Sequence, residues 1–244
     1  MILDYSFSKK TLSNPDGTLK AIVKNARIET GPGATPIGNF AKAYRFDENT
    51  KVKTKIESSR FNLRQFCISC AFNVTAPVSG KQIMLGSDVF PVSIYVDKGS
   101  SKDVFNIKAA LNSRIAGWID ADTFDRKKFK TNKWYTIQIA FDFDTLVITC
   151  DGNTICVLGL PEGALNNKPS GFLYFGTATD EKNNRFNGLI AGVQIQGAIP
   201  GTIENLLDIA RTQPEWFFTY KFLKIKDRID IGAGPKVNDF FYDK

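Results

Sequence analysis

The sequence predicts an all-β protein, either a two-sheet sandwich or a closed barrel, with a C-terminal extension of different character. Short segments rich in Val, Ile, Phe and Tyr recur up to about residue 200, and turn-forming residues separate them. Hydrophobic residues make up 43% of the 244 residues, which is enough to form the buried core of a globular protein of this length. All-β domains often reach this length as one unit, so we expect a single sandwich or barrel.

The predicted strands are short, and most are enriched in β-branched and aromatic residues. They are residues 41–46, 66–74, 82–85, 92–96, 105–111, 114–119, 134–141, 146–150, 154–158, 172–176 and 189–196. The clearest turn signals are Asp16-Gly17, Gly31-Pro32-Gly33, Asp151-Gly152 and Asn183-Asn184. These strands and turns define one domain over residues 1–199.

Residues 200–244 form a separate extension that we expect to pack on the sandwich. Thr202 can cap a helix over about 202–212, because its apolar residues fall three and four positions apart (Ile203, Leu206, Leu207 and Ala210). An aromatic segment at 214–223 follows Thr212 and includes Trp216, Phe217 and Tyr220. These three aromatics either pack back on the sandwich or form an interaction surface.

The four cysteines read as buried structural thiols rather than as a metal site. Cys67 and Cys70 are three apart on a predicted strand, so their side chains point to opposite faces and cannot grip one metal ion. If Asp151-Gly152 is a hairpin turn, Cys150 pairs with Asn153, and Cys156 then faces the opposite side from Cys150. We therefore expect no disulfide within either pair.

Charge and composition exclude several classes of function. The net charge of +7 is spread along the chain, and its densest clusters, at 126–130 and 221–228, lie outside any nucleic-acid-binding motif, so nucleic acid is disfavoured. No apolar stretch approaches the roughly 18 residues of a membrane span, and residues 1–7 lack the features of a signal peptide. Histidine is absent, which excludes triads, dyads and zinc sites built on the chain's own imidazole. These observations do not decide the cellular compartment of the protein.

Five segments together resemble the laminin-G-like members of the concanavalin A-like lectin/glucanase superfamily. They are residues 2–7, 38–47, 66–72, the hairpin 134–152 and the closing strand 186–195. Glu48 stands where the family usually has glycine, and Ala71 and Phe72 depart from its tryptophan position. The resemblance covers residues 1 to about 198 and implies a two-sheet antiparallel jelly-roll sandwich.

The carboxylates lack the pattern of the glycoside hydrolases in this superfamily. Retaining hydrolysis needs two carboxyl groups roughly 5 Å apart, which on one strand places acidic residues two or four positions apart. No two glutamates lie within four residues of each other, and the acidic pairs two apart are Asp120/Asp122 and Asp142/Asp144. We interpret the first pair as a solvated loop and the second as a hairpin turn. A hydrolase is therefore the weakest hypothesis, and we expect no enzyme activity.

Two groups of residues fit a lectin-type site, in which an aromatic ring contacts the sugar and polar side chains bind its hydroxyls. The first is Trp118 with Asp120 and Asp122, and the second is Tyr174 with Asn183, Asn184 and Arg185. The alternative is that both aromatics belong to the core. The resemblance allows for calcium, but no dense acidic loop is visible, and we assign no cofactor or metal.

The favoured hypothesis is a non-catalytic, lectin-like carbohydrate-binding domain whose partner is a glycan or glycoprotein. The alternative is a structural or interaction module, such as a coat, fibre or toxin-associated component, that assembles through its aromatic C-terminal segment into a homo-oligomer or with another protein. Fold alone does not decide between these hypotheses.

Overall fold

The computed structural model describes residues 1–61, 64–113, 117–122, 129–143, 145–159, 165, 168–178 and 184–197. These residues form two antiparallel sheets that pack face to face, which confirms the predicted sandwich. One 3₁₀ turn, Ser58–Arg60, interrupts the strands, and the described residues contain no α-helix.

The first sheet, sheet A, contains both the first and the last described strand. Its strands are β1 (Leu3–Ser6), β3 (Arg27–Thr35), β4 (Gly38–Phe46), β6 (Gln65–Val74), β12 (Trp134–Asp142), β13 (Thr145–Cys150), β14 (Asn153–Gly159) and β16 (Gly188–Gln196). The spatial order is β14-β13-β12-β6-β16-β4-β3, and β1 also pairs with β16.

The second sheet, sheet B, lies against sheet A. Its strands are β2 (Ala21–Lys24), β5 (Lys51–Glu57), β7 (Gln82–Ser87), β8 (Val92–Lys98), β9 (Val104–Ser113), β10 (Gly117–Asp122), β11 (Phe129–Lys130) and β15 (Ser170–Phe175). The spatial order is β10-β9-β8-β7-β15-β5-β2, and β11 also pairs with β9. Consecutive side chains of a strand point to opposite faces, so each sheet has a core face and an outer face.

Aromatic side chains fill the space between the two sheets. Phe7 meets both Phe46 of sheet A and Phe175 of sheet B edge-on, with ring centroids 6.1 and 5.5 Å apart. Six phenylalanines of the segments that carry the family resemblance belong to this core: Phe7, Phe46, Phe66, Phe72, Phe141 and Phe186. Phe40, in the second of these segments, instead packs on the outer face of sheet A with Ala43, Ala71, Leu189 and Ala191.

The predicted strands of the central sheet positions are confirmed, but several strands at or next to the sheet edges were missed. β2, β3, β5 and β11 were not predicted. β10 confirms residues 117–119 of the predicted strand 114–119, and residues 114–116 lie outside the described residues. The turn predicted at Gly31-Pro32-Gly33 is wrong, because β3 continues through it with a shift of register between Thr30 and Gly33. Such a shift is a β-bulge, which bends a strand without ending it.

All four cysteines are buried thiols, as predicted. Cys70 lies in the core between the sheets, whereas Cys67 lies on the outer face of sheet A. The Asp151-Gly152 turn and the pairing of Cys150 with Asn153 are confirmed. The predicted opposite orientation of Cys150 and Cys156 is wrong. Thr149 is paired with Thr154 and Ile148 with Cys156, so β14 has one extra residue, a β-bulge, between these pairs. The bulge directs the Cys156 side chain into the same core as that of Cys150.

The predicted helix 202–212, the aromatic segment 214–223 and its residues Trp216, Phe217 and Tyr220 lie outside the described residues. Within the part of the chain that the structure describes, no helix has the length and apolar character of a membrane span.

Candidate functional site

The outer face of sheet B brings one residue from each predicted site into a single row across the sheet. Direct cross-strand pairs link Ile22 to Lys53, Lys53 to Tyr174, Tyr174 to Gly86, Ser93 to Ala110, and Ala110 to Asp120. The row passes from Gly86 of β7 to Ser93 of β8. Leu85 is paired with Ile94, and in antiparallel strands this pair places the next residue of β7, Gly86, opposite the preceding residue of β8, Ser93. With strands about 4.8 Å apart, Tyr174 and Asp120 are separated by about 19 Å.

A short segment crosses this row and divides it into two halves. A Cβ atom added to Gly86 would lie 2.4 Å from Ala178 Cα and 2.9 Å from Thr177 O, so the Thr177–Ala178 backbone sits directly on that glycine. Ala178 also packs against Ile83 and Tyr95. The outer face of sheet B therefore offers two separate surfaces, one around Tyr174 and one around Asp120.

The first surface is an aromatic–lysine cluster formed by Lys53, Phe172 and Tyr174. Phe172 and Tyr174 are two apart on β15, so both point outward, and their ring centroids are 6.0 Å apart. The Lys53 ammonium lies 4.5 Å from the Phe172 centroid and 5.7 Å from that of Tyr174. Tyr174 is buried, whereas Phe172 is partly exposed and can contact a ligand. This arrangement combines a stacking surface with a fixed positive charge.

The second surface contains a hydrogen-bonded pair, Tyr95 and Asp120. The Tyr95 hydroxyl donates to Asp120 Oδ1 at 2.7 Å, and the Lys81 ammonium lies 3.9 Å from the centroid of the Tyr95 ring. Ser93, in the row beside Ala110, is 8% exposed, and its hydroxyl has no hydrogen-bond partner within the described chain. Because a buried hydroxyl is costly to leave unpaired, Ser93 marks a position where a polar ligand atom or water would be stabilised.

The other predicted site residues fall into three situations. Trp118, Asp120 and Asp122 lie on strand β10, with Trp118 in register with Asn112 and Asp122 in register with Lys108 of β9. The interpretation of Asp120/Asp122 as a solvated loop is therefore wrong, because both residues pair within sheet B. Arg185 Nη1 donates to the carbonyl of Thr50 at 3.1 Å, which directs this side chain to the turn before β5. Asn184 is exposed, with its carbonyl accepting from Ile83 N at 2.8 Å, and Asn183 lies outside the described residues.

A shallow pocket of about 160 Å³ lies on the opposite side of the sandwich, where the tip of the β3–β4 hairpin approaches sheet A. Pro32 and Pro36 face Trp134, and the pocket also includes Thr136 and Asp151. Asp151 is held in place, since its carboxylate accepts from Thr136 N at 2.8 Å. This pocket contains none of the residues predicted to bind ligand.

No group of three or more Cys, Asp or Glu side chains is close enough to hold a metal within the described ranges. The two thiols of β6 are also poor ligands, because burial raises the pKa of Cys67 to about 11 and that of Cys70 to about 12.

Several solved structures share this fold. Domain 4 of AbnA, a GH43 extracellular arabinanase from Geobacillus stearothermophilus, solved in complex with arabinotriose, matches with a TM-score of 0.59 at 15% identity, over 83% of this chain and 96% of that one. The binding domain of botulinum neurotoxin DC, solved in complex with SialylT, matches with a TM-score of 0.56 at 16% identity, over 89% and 51%. Trypanosoma rangeli sialidase matches with a TM-score of 0.58 at 12% identity, over 86% and 32%.

No protein-family model and no curated protein sequence matches the chain. The chain spans about half the length of the toxin binding domain and about a third of the sialidase. At such low identities the matches show one thing, a shared β-sandwich fold, which is found in domains that bind carbohydrate as well as in an enzyme.

Lys53, Phe172, Tyr95 and Ser93 were not among the predicted site residues. Lys53 reaches Tyr174 through the pairing of β5 with β15, and Tyr95 and Ser93 approach Asp120 through the pairing of β8, β9 and β10. Phe172, in contrast, is two residues from Tyr174 on the same strand. One signal was present for Lys53, because lysines alternate with Val, Thr and Ile at residues 51–56, as in a strand with one solvated face.

Proposed function

We propose that this protein is a non-catalytic carbohydrate-binding domain of the laminin-G-like, concanavalin A-like type, and that it binds an acidic glycan on the outer face of sheet B. The aromatic–lysine cluster carries this proposal. The Phe172 ring would contact the apolar face of a sugar, and the Lys53 ammonium would pair with a carboxylate or sulfate group on that sugar.

The charges around the cluster support an acidic ligand. Lys51 and Lys55 are exposed on the same face of β5 as Lys53, and Lys24 of β2 is paired with Lys51. Phe172 is paired directly with Lys55, so positive charge flanks the ring on more than one side. Neighbouring ammonium groups raise the local concentration of an anionic ligand and speed its association.

The assignment of a binding role rather than a catalytic one rests on the carboxylates. Asp120, one member of the acidic pair Asp120/Asp122, has one oxygen engaged by the Tyr95 hydroxyl. The sequence contains no pair of glutamates within four residues of each other. The shared fold with an arabinanase domain solved with arabinotriose, and with a toxin domain solved with SialylT, supports the proposal by analogy.

A glycan array that contains sialylated and sulfated oligosaccharides beside their neutral counterparts tests this proposal, followed by isothermal titration of any hit with and without calcium. We expect acidic glycans to bind and their neutral counterparts to bind less or not at all. Lys53→Ala and Phe172→Ala should each weaken binding about tenfold or more, the equivalent of about 1.4 kcal/mol. Lys42→Ala removes an exposed lysine of sheet A and serves as the charge-matched control.

Three results would contradict the proposal. A silent array would exclude glycan binding, and full-length protein that is oligomeric in light scattering would then favour the interaction module. If neutral glycans bound as tightly as their acidic counterparts, the proposed pairing of Lys53 with an acidic group of the glycan would be wrong. Loss of binding in Trp134→Ala, with Lys53→Ala unaffected, would move the site to the pocket beside the β3–β4 hairpin.

A further inference from the structure

The outer face of sheet A carries an apolar row that is fully covered. The row consists of Cys67, Ala140, Val147 and Val157, which are paired directly with one another across β6, β12, β13 and β14. Their neighbours along each strand belong to the core between the sheets, so these four side chains point away from it. The first three are 0% exposed and Val157 is 4% exposed.

Such burial requires another layer on this side of the sheet. Small side chains in the middle of an open sheet remain in contact with water unless something lies over them. Thr149, two residues after Val147 on β13 and on the same face, is also buried, and its hydroxyl has no hydrogen-bond partner within the described chain. Both observations are consistent with a further layer over this face of sheet A.

The last described strand ends beside this row. Gln196, the last residue of β16, is paired with Cys67, so the row continues directly from the point where the strand ends. Residues 197–201 then lead to the predicted helix 202–212. A stretch of that length reaches at most about 17 Å, which keeps the start of the helix close to sheet A.

The predicted helix matches the row in length and in chemistry. Residues 202–212 would extend about 16 Å at 1.5 Å per residue, and the four strands of the row span about 14 Å. Four of its five apolar residues, Ile203, Leu206, Leu207 and Ala210, fall on one side of the helix. Ile209 lies at the flank of that side, and Asn205 falls on the opposite side. Bulky leucines over small residues give the close packing that a third layer needs.

We propose that the outer face of sheet A, along the row from Cys67 to Val157, is the docking surface for the chain's own helical segment 202–212. The segment lies across the strands with Leu206 and Leu207 over the row. The C-terminal extension thus forms a third layer of the domain, on the sheet opposite the proposed glycan-binding face.

Cysteine alkylation of the full-length protein, measured residue by residue by peptide mass spectrometry, tests this docking. Leu206→Asp places a charge in the proposed contact, and Asn205→Asp places the same charge on the opposite side of the helix. We expect Cys67 to react about tenfold faster or more in Leu206→Asp than in the wild type, because its burial would be lost. Asn205→Asp should behave like the wild type, and Cys70 should stay unreactive in all three proteins.

Limited proteolysis of the same three proteins provides a second measurement. Trypsin should cut after Arg211 faster in Leu206→Asp than in the wild type or in Asn205→Asp, since cleavage requires a detached segment. Unchanged Cys67 reactivity in Leu206→Asp would overturn the proposal, as would equal acceleration by Asn205→Asp. Equal acceleration of Cys67 and Cys70 would also overturn it, because the sandwich itself would then be opening.

Discussion

The hydroxyl of Tyr95 donates a 2.7 Å hydrogen bond to the carboxylate of Asp120, and this bond joins β8 to β10 across the intervening strand β9. Tyr95 is buried, whereas Asp120 is partly exposed, so the bond fixes the edge strand β10 to the interior of sheet B. It also holds one oxygen of the carboxylate in a defined direction on the outer face.

We expect Tyr95→Phe to lower the free energy of unfolding by about 1–2 kcal/mol, because it removes a hydrogen bond to a charged group. Urea denaturation measures the change. The same substitution should cost much less in an Asp120→Ala background, where the acceptor is already gone. An equal cost in both backgrounds would show that the bond contributes nothing to stability.

Gly192 allows the Phe40 ring to rest on β16. A Cβ atom added to this glycine would lie 2.4 Å from two atoms of that ring, closer than any real contact. We therefore expect Gly192→Ala to destabilise the protein by about 1–3 kcal/mol through overpacking.

Thermal and urea denaturation measure the effect of Gly192→Ala, with Gly80→Ala as the control. Nothing lies within 4 Å of a Cβ atom added to Gly80, so its substitution should be neutral or slightly stabilising. A smaller cost of Gly192→Ala in a Phe40→Leu background would confirm that the ring causes the destabilisation, whereas a stable Gly192→Ala variant would contradict this account.

We expect the carboxylate of Asp47 to contribute to stability in a pH-dependent way. Burial alone would raise the pKa of Asp47, but hydrogen bonds from Asn49 N at 2.9 Å, Thr50 at 3.0 and 3.1 Å, and Arg27 at 3.0 Å lower it. A folded pKa below the unfolded value of about 3.9 means that the carboxylate stabilises the fold above that pH. The stabilisation is lost as the pH falls through the folded pKa.

The wild type should therefore exceed Asp47→Asn in stability at pH 6, by about 1–2 kcal/mol. The difference should shrink below about pH 4 and vanish in stronger acid. Urea denaturation at a series of pH values measures it, with the exposed neighbour Glu48→Gln as the control. A difference between wild type and Asp47→Asn that is constant with pH would contradict the role of the charge.

We expect glycan binding to depend on salt concentration because of the proposed ionic contact at Lys53. Salt screens the attraction between exposed charges, so the wild-type Kd for an acidic glycan should rise between about 0.05 and 0.5 M NaCl. Lys53→Ala should bind more weakly at low salt and change less over the same range, as titration calorimetry would measure. Parallel salt dependences of the two proteins would contradict an ionic contact at Lys53.

The sequence patterns predicted the sandwich and its central strands because those strands are continuous runs of β-branched and aromatic residues. The strands at or next to the sheet edges were missed for local reasons. β5 presents three lysines to solvent, and lysine disfavours strands when it is judged by propensity alone. β3 contains two glycines and a proline, which are the ordinary signature of a turn, yet its pairing with β4 resumes after a bulge.

The candidate site was predictable only in part, because its geometry depends on the order of strands in the sheet. Tyr174 and Asp120 could be chosen from their own segments, because an aromatic ring and an acidic side chain are residue types that a lectin-type site uses to contact its ligand. Their placement in one row requires the neighbours of β15 and β10 to be known. The segment over Gly86, which separates the two surfaces, is equally non-local, and no local pattern indicates it.

The position of β16 has a consequence for how the protein is made. The last described strand lies between β6 and β4 in the middle of sheet A, and it also pairs with β1. Sheet A therefore cannot close until residue 196 has left the ribosome, which takes roughly 10–40 s at the usual rates of synthesis. During that interval the edges of β6 and β4 that later pair with β16 are open, and open strand edges favour pairing with other chains.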